Sequence, residues 1–238
     1  MENTEMKVIT VLTRKGGAGK TTLLRALVSA ATSEGKKCLA LDGDPQKALL
    51  RWSNRLNYDN PLLEVRNLED AAALEKETDD AWDEGKTDFV FVDTLGAAGE
   101  WADVLAAFSD HLVCPMMLTE TDLEITIDTF NWYCGLLDRT ENPEDLPTFH
   151  VVLARVPSKP SKAMLKVAEK AVKLFPVIDE MFMERKQHAD SDMEGLLQDV
   201  AEIKRKDPNH LIRTHARYFV EAIEEAKEIL EGVIGGKK

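Results

Sequence analysis

Residues 13–22 read TRKGGAGKTT, and the architecture of the chain is best predicted outward from this stretch. It matches the phosphate-binding pattern G-x-x-x-x-G-K-[ST] at Gly19, Lys20 and Thr21, although Arg14 stands where the pattern begins with glycine. Glycines let backbone N–H groups approach phosphate oxygens, Lys20 would bridge the terminal phosphates, and the Thr21 hydroxyl would hold Mg²⁺. The stretch predicts a nucleotide site whose residues are Lys15, Gly16, Gly17, Ala18, Gly19, Lys20, Thr21 and Thr22.

The segments on either side of this loop predict a strand before it and a helix after it. Residues 6–13 are apolar and β-branched, and residues 21–35 show helical apolar spacing. Further strands are predicted at 36–42, 62–65, 88–93, 110–118, 149–156 and 175–178. Further helices are predicted at 45–56, 68–84, 121–137, 161–174, 190–203 and 211–231.

Strands that alternate with helices predict an α/β protein with a mostly parallel, twisted sheet and helices on both faces. Together with the loop, this pattern predicts the fold of a phosphate-loop (P-loop) NTPase. We find no repeat or linker, so residues 1–238 are expected to form a single domain, with a flexible tail at 234–238.

Three aspartates follow predicted strands, at the edge where parallel sheets bind ligands. Asp42 and Asp44 lie in LDGDPQ after the second strand, and Asp93 ends the strand DFVFVD. One carboxylate of the first pair can order the waters of a metal ion while the other positions an attacking water. An acidic residue in the place of Asp93 is the usual second metal contact beside a phosphate loop. The sequence therefore predicts metal contacts from Thr21, Asp42 and Asp93.

The segments KGGAGKTT, DGDPQ and FVFVDT together resemble the deviant Walker A ATPases of the ParA/MinD superfamily, and most of all small ParA-type partition ATPases such as ParF. The resemblance covers most of residues 6–156 and is weak after about residue 175. It implies ATP and Mg²⁺ as cofactors and a homodimer that forms around ATP, in which the signature lysine, here Lys15, reaches the phosphates bound by the partner. It also implies weak hydrolysis that a partner protein stimulates, with catalytic roles for Lys15, Lys20 and Asp44.

The residues that would contact the base are indicated by one segment only. VLAR, residues 152–155, stands where some members of the superfamily have an asparagine that contacts adenine. Arg155 is therefore a candidate nucleotide contact, and the expectation of ATP rather than GTP rests on the resemblance.

The distribution of charge predicts a further binding surface. The net charge of −13 argues against general affinity for nucleic acid, yet basic residues concentrate between positions 155 and 173, where only Glu169 opposes them. Helical spacing puts four lysines on one face, which could contact duplex phosphates without reading sequence or could be an ordinary solvated face. This lysine stripe consists of Lys162, Lys166, Lys170 and Lys173, with Lys159 as a further DNA contact. A second basic group, which could extend it, consists of Lys204, Arg205, Lys206, Arg213 and Arg217.

The composition does not indicate a membrane protein or a protein that binds a metal cluster. No stretch approaches 18 consecutive apolar residues, and the three cysteines are too far apart for a shared metal site. The polar face of the predicted helix 211–231 is mostly glutamate, which anionic lipid would repel. We therefore expect a cytoplasmic protein without membrane contact, associated with the nucleoid when it holds ATP.

The function expected from these features is that of a ParA-type ATPase that binds DNA nonspecifically and positions a plasmid or other DNA cargo with a ParB-like or other adaptor protein. Three alternatives remain open. The first is a conjugation-associated ATPase that binds a transfer-origin region. The second is a MinD-like positioning switch without DNA binding, and the third is an ATP-dependent ligase on the same scaffold.

Overall fold

Seven parallel strands form one sheet in the computed structural model, which describes residues 6–56, 59–96 and 99–236. The strands are β1 (Lys7–Val11), β2 (Cys38–Gly43), β3 (Leu63–Asn67), β4 (Phe89–Thr94), β5 (His111–Met116), β6 (Thr148–Val156) and β7 (Phe182–Met183). The helices are α1 (Lys20–Ser33), α2 (Ala48–Leu56), α3 (Ala71–Glu84), α4 (Glu100–Ala107), α5 (Glu120–Arg139), α6 (Lys162–Leu174), α7 (Lys186–Glu194), α8 (Leu197–Arg205) and α9 (His210–Gly235). The order of the strands across the sheet is β3-β2-β4-β1-β5-β6-β7.

The register of the central strands brings distant segments of the chain to one edge of the sheet. Val11 at the end of β1 pairs with Asp93 of β4, and Asp42 of β2 pairs with the same aspartate. All three strands run in the same direction, so the loop after β1 and the two aspartates lie at their common carboxyl edge.

Side chains of the sheet alternate between two hydrophobic cores, one on each face. On one face Ile9 and Val11 of β1 pack with buried residues of α1, α2, α8 and α9. On the other face Val8 of β1 packs in a core with buried residues of α3, α4, α5 and α6. A parallel sheet with both faces covered confirms the predicted fold class.

Three elements differ from the predicted boundaries because of local backbone conformation or pairing. The helix predicted at 190–203 is two helices, α7 and α8, which are separated where Gly195 adopts φ 122°. The helix predicted from Pro45 begins at Ala48, since Lys47 takes a left-handed conformation with φ 51°. The last strand is β7, and residues 175–178 contribute only a bridge between Val177 and Val151.

One helix was not predicted, and another is longer than predicted. We did not predict α4, a short helix of eight residues that follows the buried strand β4. The last helix, α9, continues to Gly235, so Ile234 and Gly235 are helical although we expected them in a flexible tail. Residues 237 and 238 of that predicted tail lie outside the described residues. Among the helices within the described ranges, none is long and apolar enough to cross a membrane.

Candidate nucleotide-binding site

A cleft of about 950 Å³ opens at the carboxyl edge of the sheet. Its floor is the predicted phosphate loop, and Asp44 and Arg155 line it from the ends of β2 and β6. The opposite wall comes from β7 and α7, a part of the chain in which sequence reasoning proposed no nucleotide contact. The loop residues in the lining are Gly16, Gly17, Gly19, Lys20, Thr21 and Thr22.

The loop has a backbone conformation that requires glycine at two positions. Gly17 and Gly19 have φ values of 79° and 87°, in the left-handed region that L-residues rarely adopt. Gly19 is the N-cap of α1, and no side chain caps this helix end within the described residues. The first N–H groups of a 14-residue helix therefore face the cleft without a side-chain acceptor, as a phosphate site needs.

Lys20 lies in the cleft floor and is held by the loop itself. Its Nζ donates to the carbonyl oxygen of Lys15 at 2.9 Å, and the residue is only 7% exposed. Burial lowers the pKa of the Lys20 ammonium, while the carboxylates of Asp93 and Asp44 act to raise it. A cation so placed, with little water around it, interacts strongly with an anion that enters the cleft.

Thr21 and Asp93 form the part of the site that fits a metal ion. The Thr21 hydroxyl donates to Asp93 Oδ2 at 2.5 Å, whereas Asp93 Oδ1 is buried with no hydrogen-bond partner among the described residues. Burial raises the pKa of Asp93 to about 7, because no nearby cation fully offsets the desolvation of its charge. A buried, unpartnered carboxylate oxygen beside a hydroxyl is a donor set that suits Mg²⁺.

The described residues contain no group of three acidic, histidine or cysteine side chains that could hold a metal alone. This arrangement agrees with the usual binding of Mg²⁺ by one or two protein groups together with phosphate oxygens. The residues present therefore fit a nucleotide-dependent Mg²⁺ site better than a dedicated metal cage.

Asp42 and Asp44, which were predicted together, have different environments. Asp42 is fully buried, and its two oxygens accept from the backbone N–H groups of Asp44 at 3.2 Å and Leu50 at 2.8 Å. These bonds brace the turn that carries Asp44. Asp44 is half-buried, lines the cleft, and accepts from the N–H of Gln46 at 2.8 Å. Asp44 is thus the carboxylate of this pair that reaches the cleft.

Lys15 has a partner on its own chain that sequence reasoning missed. Its Nζ donates to both oxygens of Asp122 at 3.1 Å, and the Asp122 side chain is almost fully buried. Thr119 caps α5 by accepting from the N–H of Asp122, and its hydroxyl also donates to that carboxylate. The spacing from Thr119 to Asp122 is a capping signal for a helix start, but nothing local indicates a partner 107 residues away.

Arg155 lies beside the phosphate loop in an unusual conformation. It has φ 53° where the pairing of β6 with β7 shifts register, and its Cδ would lie 3.9 Å from a Cβ added at Gly19. Its guanidinium is 3.8 Å from the carboxylate of Glu184, and both side chains are exposed. The structure therefore brings Arg155 to the loop, while its contact with a nucleotide stays a prediction.

The lysine stripe lies on α6, whose buried residues belong to the core on the opposite face from α1. All four of its lysines are exposed, as is Lys159 in the preceding loop. Lys170 donates to Glu120 at 2.6 Å, and the other three have no ion pair within the described part of the chain. Val167 and Ala171 form the buried side of α6, whereas the apolar residues Leu165 and Val172 are exposed.

A glycine loop between β1 and α1, followed by a threonine that donates to the carboxylate of Asp93 in β4, defines a P-loop protein. The chain belongs to the VirC1 family, whose description is "VirC1 protein" and which matches residues 6–235. The virC1 protein of Rhizobium rhizogenes is 31% identical over 222 residues, covering 92% of this chain and 94% of that protein. The virC1 protein of Rhizobium radiobacter is 28% identical over 233 residues, covering 96% of this chain and 99% of that protein.

Solved structures with the same fold include several members of the ParA/MinD superfamily. The MinD cell division protein of Aquifex aeolicus has a TM-score of 0.66 at 18% identity, and 98% of each chain is covered. The pnob8 ParA structure has a TM-score of 0.67 at 17% identity, covering 98% of this chain and 100% of the other. An McdA–ATP complex of Cyanothece has a TM-score of 0.65 at 16% identity, covering 99% and 98%. The resemblance to the superfamily is thereby confirmed.

Proposed function

We propose that this protein is a Mg²⁺-dependent ATPase that forms a homodimer around ATP, binds duplex DNA without sequence preference, and positions a DNA cargo with an adaptor protein. The observation that carries the nucleotide part is the buried, unpartnered oxygen of Asp93 beside Thr21, at the base of a glycine loop. Such a site needs a ligand that brings both a cation and phosphate oxygens. ATP is the expected nucleotide because the McdA structure of Cyanothece, which has the same fold, is a complex with ATP.

Different residues of the cleft would bind the phosphates, hold the metal ion and orient the attacking water. The loop N–H groups and Lys20 bind the phosphates, and Thr21 with Asp93 would hold Mg²⁺, which neutralises charge on the phosphates when bound. Asp44, half-buried at the cleft, would orient the attacking water, and Asp42 keeps the Asp44 turn in place. Hydrolysis is expected to be slow until an adaptor protein stimulates it.

Lys15 would supply positive charge across the dimer, and its contact with Asp122 suggests how that charge is withheld. While the two are paired, the lysine is held on its own chain at 3.1 Å from the carboxylate. A second copy with bound ATP offers phosphates as a competing partner, and added cationic charge stabilises the transition state of phosphoryl transfer. Dimer formation and catalysis would therefore depend on the same side chain.

DNA binding would use the lysine stripe. Lys162, Lys166 and Lys173 have exposed side chains without carboxylate partners in the described residues. They can therefore pair with phosphates of the DNA backbone and release the counterions bound there. Contacts of this kind carry no sequence information, and their strength falls as salt rises. Lys170, which is bonded to Glu120, would contribute less.

The test measures DNA binding with ATP, ADP or no nucleotide, and the oligomeric state of the same samples by sedimentation. The variants are Lys15→Ala and the triple change of Lys162, Lys166 and Lys173 to glutamate. A matched control changes the exposed Lys37, Lys76 and Lys86 to glutamate, which alters the net charge equally at other sites.

We expect ATP-dependent, salt-sensitive DNA binding that both test variants lose and the control keeps, with dimerisation lost only for Lys15→Ala. An ATP-dependent dimer without DNA affinity would contradict the DNA part of the proposal and favour a protein-cargo switch of the MinD type. Nucleotide affinity that does not depend on Mg²⁺ would contradict the site assignment.

A second candidate is an ATPase of conjugative DNA transfer that binds an origin region. The proteins with 31% and 28% identity are named virC1, whereas ParA and MinD structures match at 17% and 18%. The higher identity to the virC1 proteins favours a function that differs from the functions of the ParA and MinD proteins with the same fold. Competition between an origin-region duplex and random duplex of equal length would distinguish the candidates, because only the second candidate predicts a preference.

A further inference from the structure

The end of α8 and the start of α9 form a surface that the nucleotide site does not use. We call residues 202–217 the α8–α9 tip. Every residue from His210 to His215 is exposed, so the first turn and a half of α9 has no packed side. Leu211 is 69% exposed, Ile203 62% and Ile212 37%, which places three large aliphatic side chains in one exposed segment.

The tip is also a basic segment of an acidic protein, as the lysine stripe is. It contains five lysine and arginine residues against Glu202 and Asp207, whereas the whole chain has net charge −13. Arg213 donates to the backbone carbonyls of Asp207 and Pro208, and Arg217 donates to the Tyr218 hydroxyl, and neither forms an ion pair with a carboxylate in the described part of the chain. Ion pairs hold Lys204 to Glu194 and Lys206 to Glu202.

The exposed start of α9 lies far along the helix from Glu225, the residue of α9 that contacts β7. Glu225 accepts from the N–H of Met183 in β7 and pairs with Arg185. Leu211 precedes Glu225 by fourteen residues, which corresponds to about 21 Å along the helix. Glu221 lies about one turn after Arg217 and interacts with it electrostatically. Charges further apart than about 8 Å are largely screened at physiological salt, so Glu224 and the glutamates that follow it on α9 oppose an anion at Leu211 only weakly.

We propose that the α8–α9 tip docks on an anionic lipid surface, with Ile203, Leu211 and Ile212 entering the interface and the basic side chains meeting lipid phosphates. Exposed apolar side chains next to basic ones match the two parts of such a surface. Duplex DNA would use the charges but offers nothing that buries Leu211. This inference does not depend on the proposed ATPase function, and it differs from the expectation of no membrane contact, which rested on the acidic later turns of α9.

Flotation of the full-length protein with vesicles tests the proposal. The vesicles are phosphatidylcholine alone, or a mixture with about one phosphatidylglycerol in three, which has the anionic surface that basic residues recognise. The variants are Leu211→Ser and Arg205→Gln, and Leu165→Ser on α6 is a matched control because it also removes an exposed leucine. Duplex DNA binding is measured on all four proteins.

Wild-type protein should float only with anionic vesicles. Leu211→Ser should weaken this binding about tenfold and Arg205→Gln about fivefold, while Leu165→Ser binds like wild type. All variants have changes at exposed positions, so their folding and ATP affinity should be unaltered. Equal flotation with neutral vesicles, no flotation at all, or a Leu211→Ser protein that floats like wild type would overturn the proposal. Loss of DNA binding in Arg205→Gln without any vesicle effect would overturn it in favour of a nucleic-acid surface.

Discussion

Replacing Asp122 by asparagine should tighten ATP-dependent dimerisation, because the change removes the ion pair that holds Lys15 on its own chain. Both oxygens of Asp122 lie 3.1 Å from Lys15 Nζ, with side chains that are 4% and 30% exposed respectively. The partly exposed lysine keeps water near the pair, so we assign it about 1 kcal/mol, the upper range for a solvated pair. Each of two protomers releases one such pair, which favours the dimer by about 2 kcal/mol, or a roughly thirtyfold lower Kd.

Sedimentation over a series of protein concentrations, with a non-hydrolysable ATP analogue, would measure this Kd. Asp128→Asn is the matched control, since it removes an exposed carboxylate from the same helix without touching Lys15. The double variant Lys15→Ala/Asp122→Asn should dimerise as poorly as Lys15→Ala, because the gain acts through the lysine. An Asp122→Asn protein that dimerises no more tightly than wild type, or that keeps its gain without Lys15, would refute the reasoning.

Three further predictions concern the loop, the metal ligand and the stripe. Without ligands, the free energy of unfolding should fall as pH rises from about 4 to about 7, because an unfolded aspartate ionises near 3.8 while burial raises the pKa of Asp93 to about 7. Asp93→Asn should flatten this part of the profile of denaturation midpoint against pH; an unchanged slope would contradict the assignment. Gly19→Ala should reduce the free energy of unfolding by about 1–2 kcal/mol because φ is 87°, whereas Gly16→Ala, which lacks a positive φ, should change it by less than about 0.5 kcal/mol in the same denaturant titration. Changing Lys162, Lys166 and Lys173 to glutamine, which removes their charge without reversing it, should make the slope of log K for DNA against log salt less steep by about 3 units, and a slope equal to that of the wild type would place DNA elsewhere.

Much of the site could be predicted because its residues follow strands directly. Asp42 and Asp93 lie at the ends of segments whose apolar runs predict parallel strands, Thr21 follows the glycine loop after another such segment, and parallel strands end at a common edge. The different hydrogen-bonding environments of Asp42 and Asp93 could not be predicted in this way. Asp42 has both oxygens bonded to backbone N–H groups and Asp93 has one oxygen left over, a difference that depends on how the turn at Asp44 folds back.

The two ends of α9 show what a charge pattern averaged over a helix leaves out. The acidic later turns indicated a helix that anionic lipid repels, yet the first turn and a half of the same helix is exposed, apolar and basic. A helix of 26 residues has room for two unlike surfaces, and which part packs against the sheet is not encoded in periodicity alone.

Local patterns alone established the phosphate loop, the alternation of strands and helices, and the stripe on α6. Steric limits on glycine and the periods of strand and helix act over a few residues, so they can be followed along the chain. Packing established the partner of Lys15, the free oxygen of Asp93 and the exposure of Leu211. Each depends on whether groups on separate helices and strands come into contact. Those contacts follow from how the whole chain packs its two hydrophobic cores.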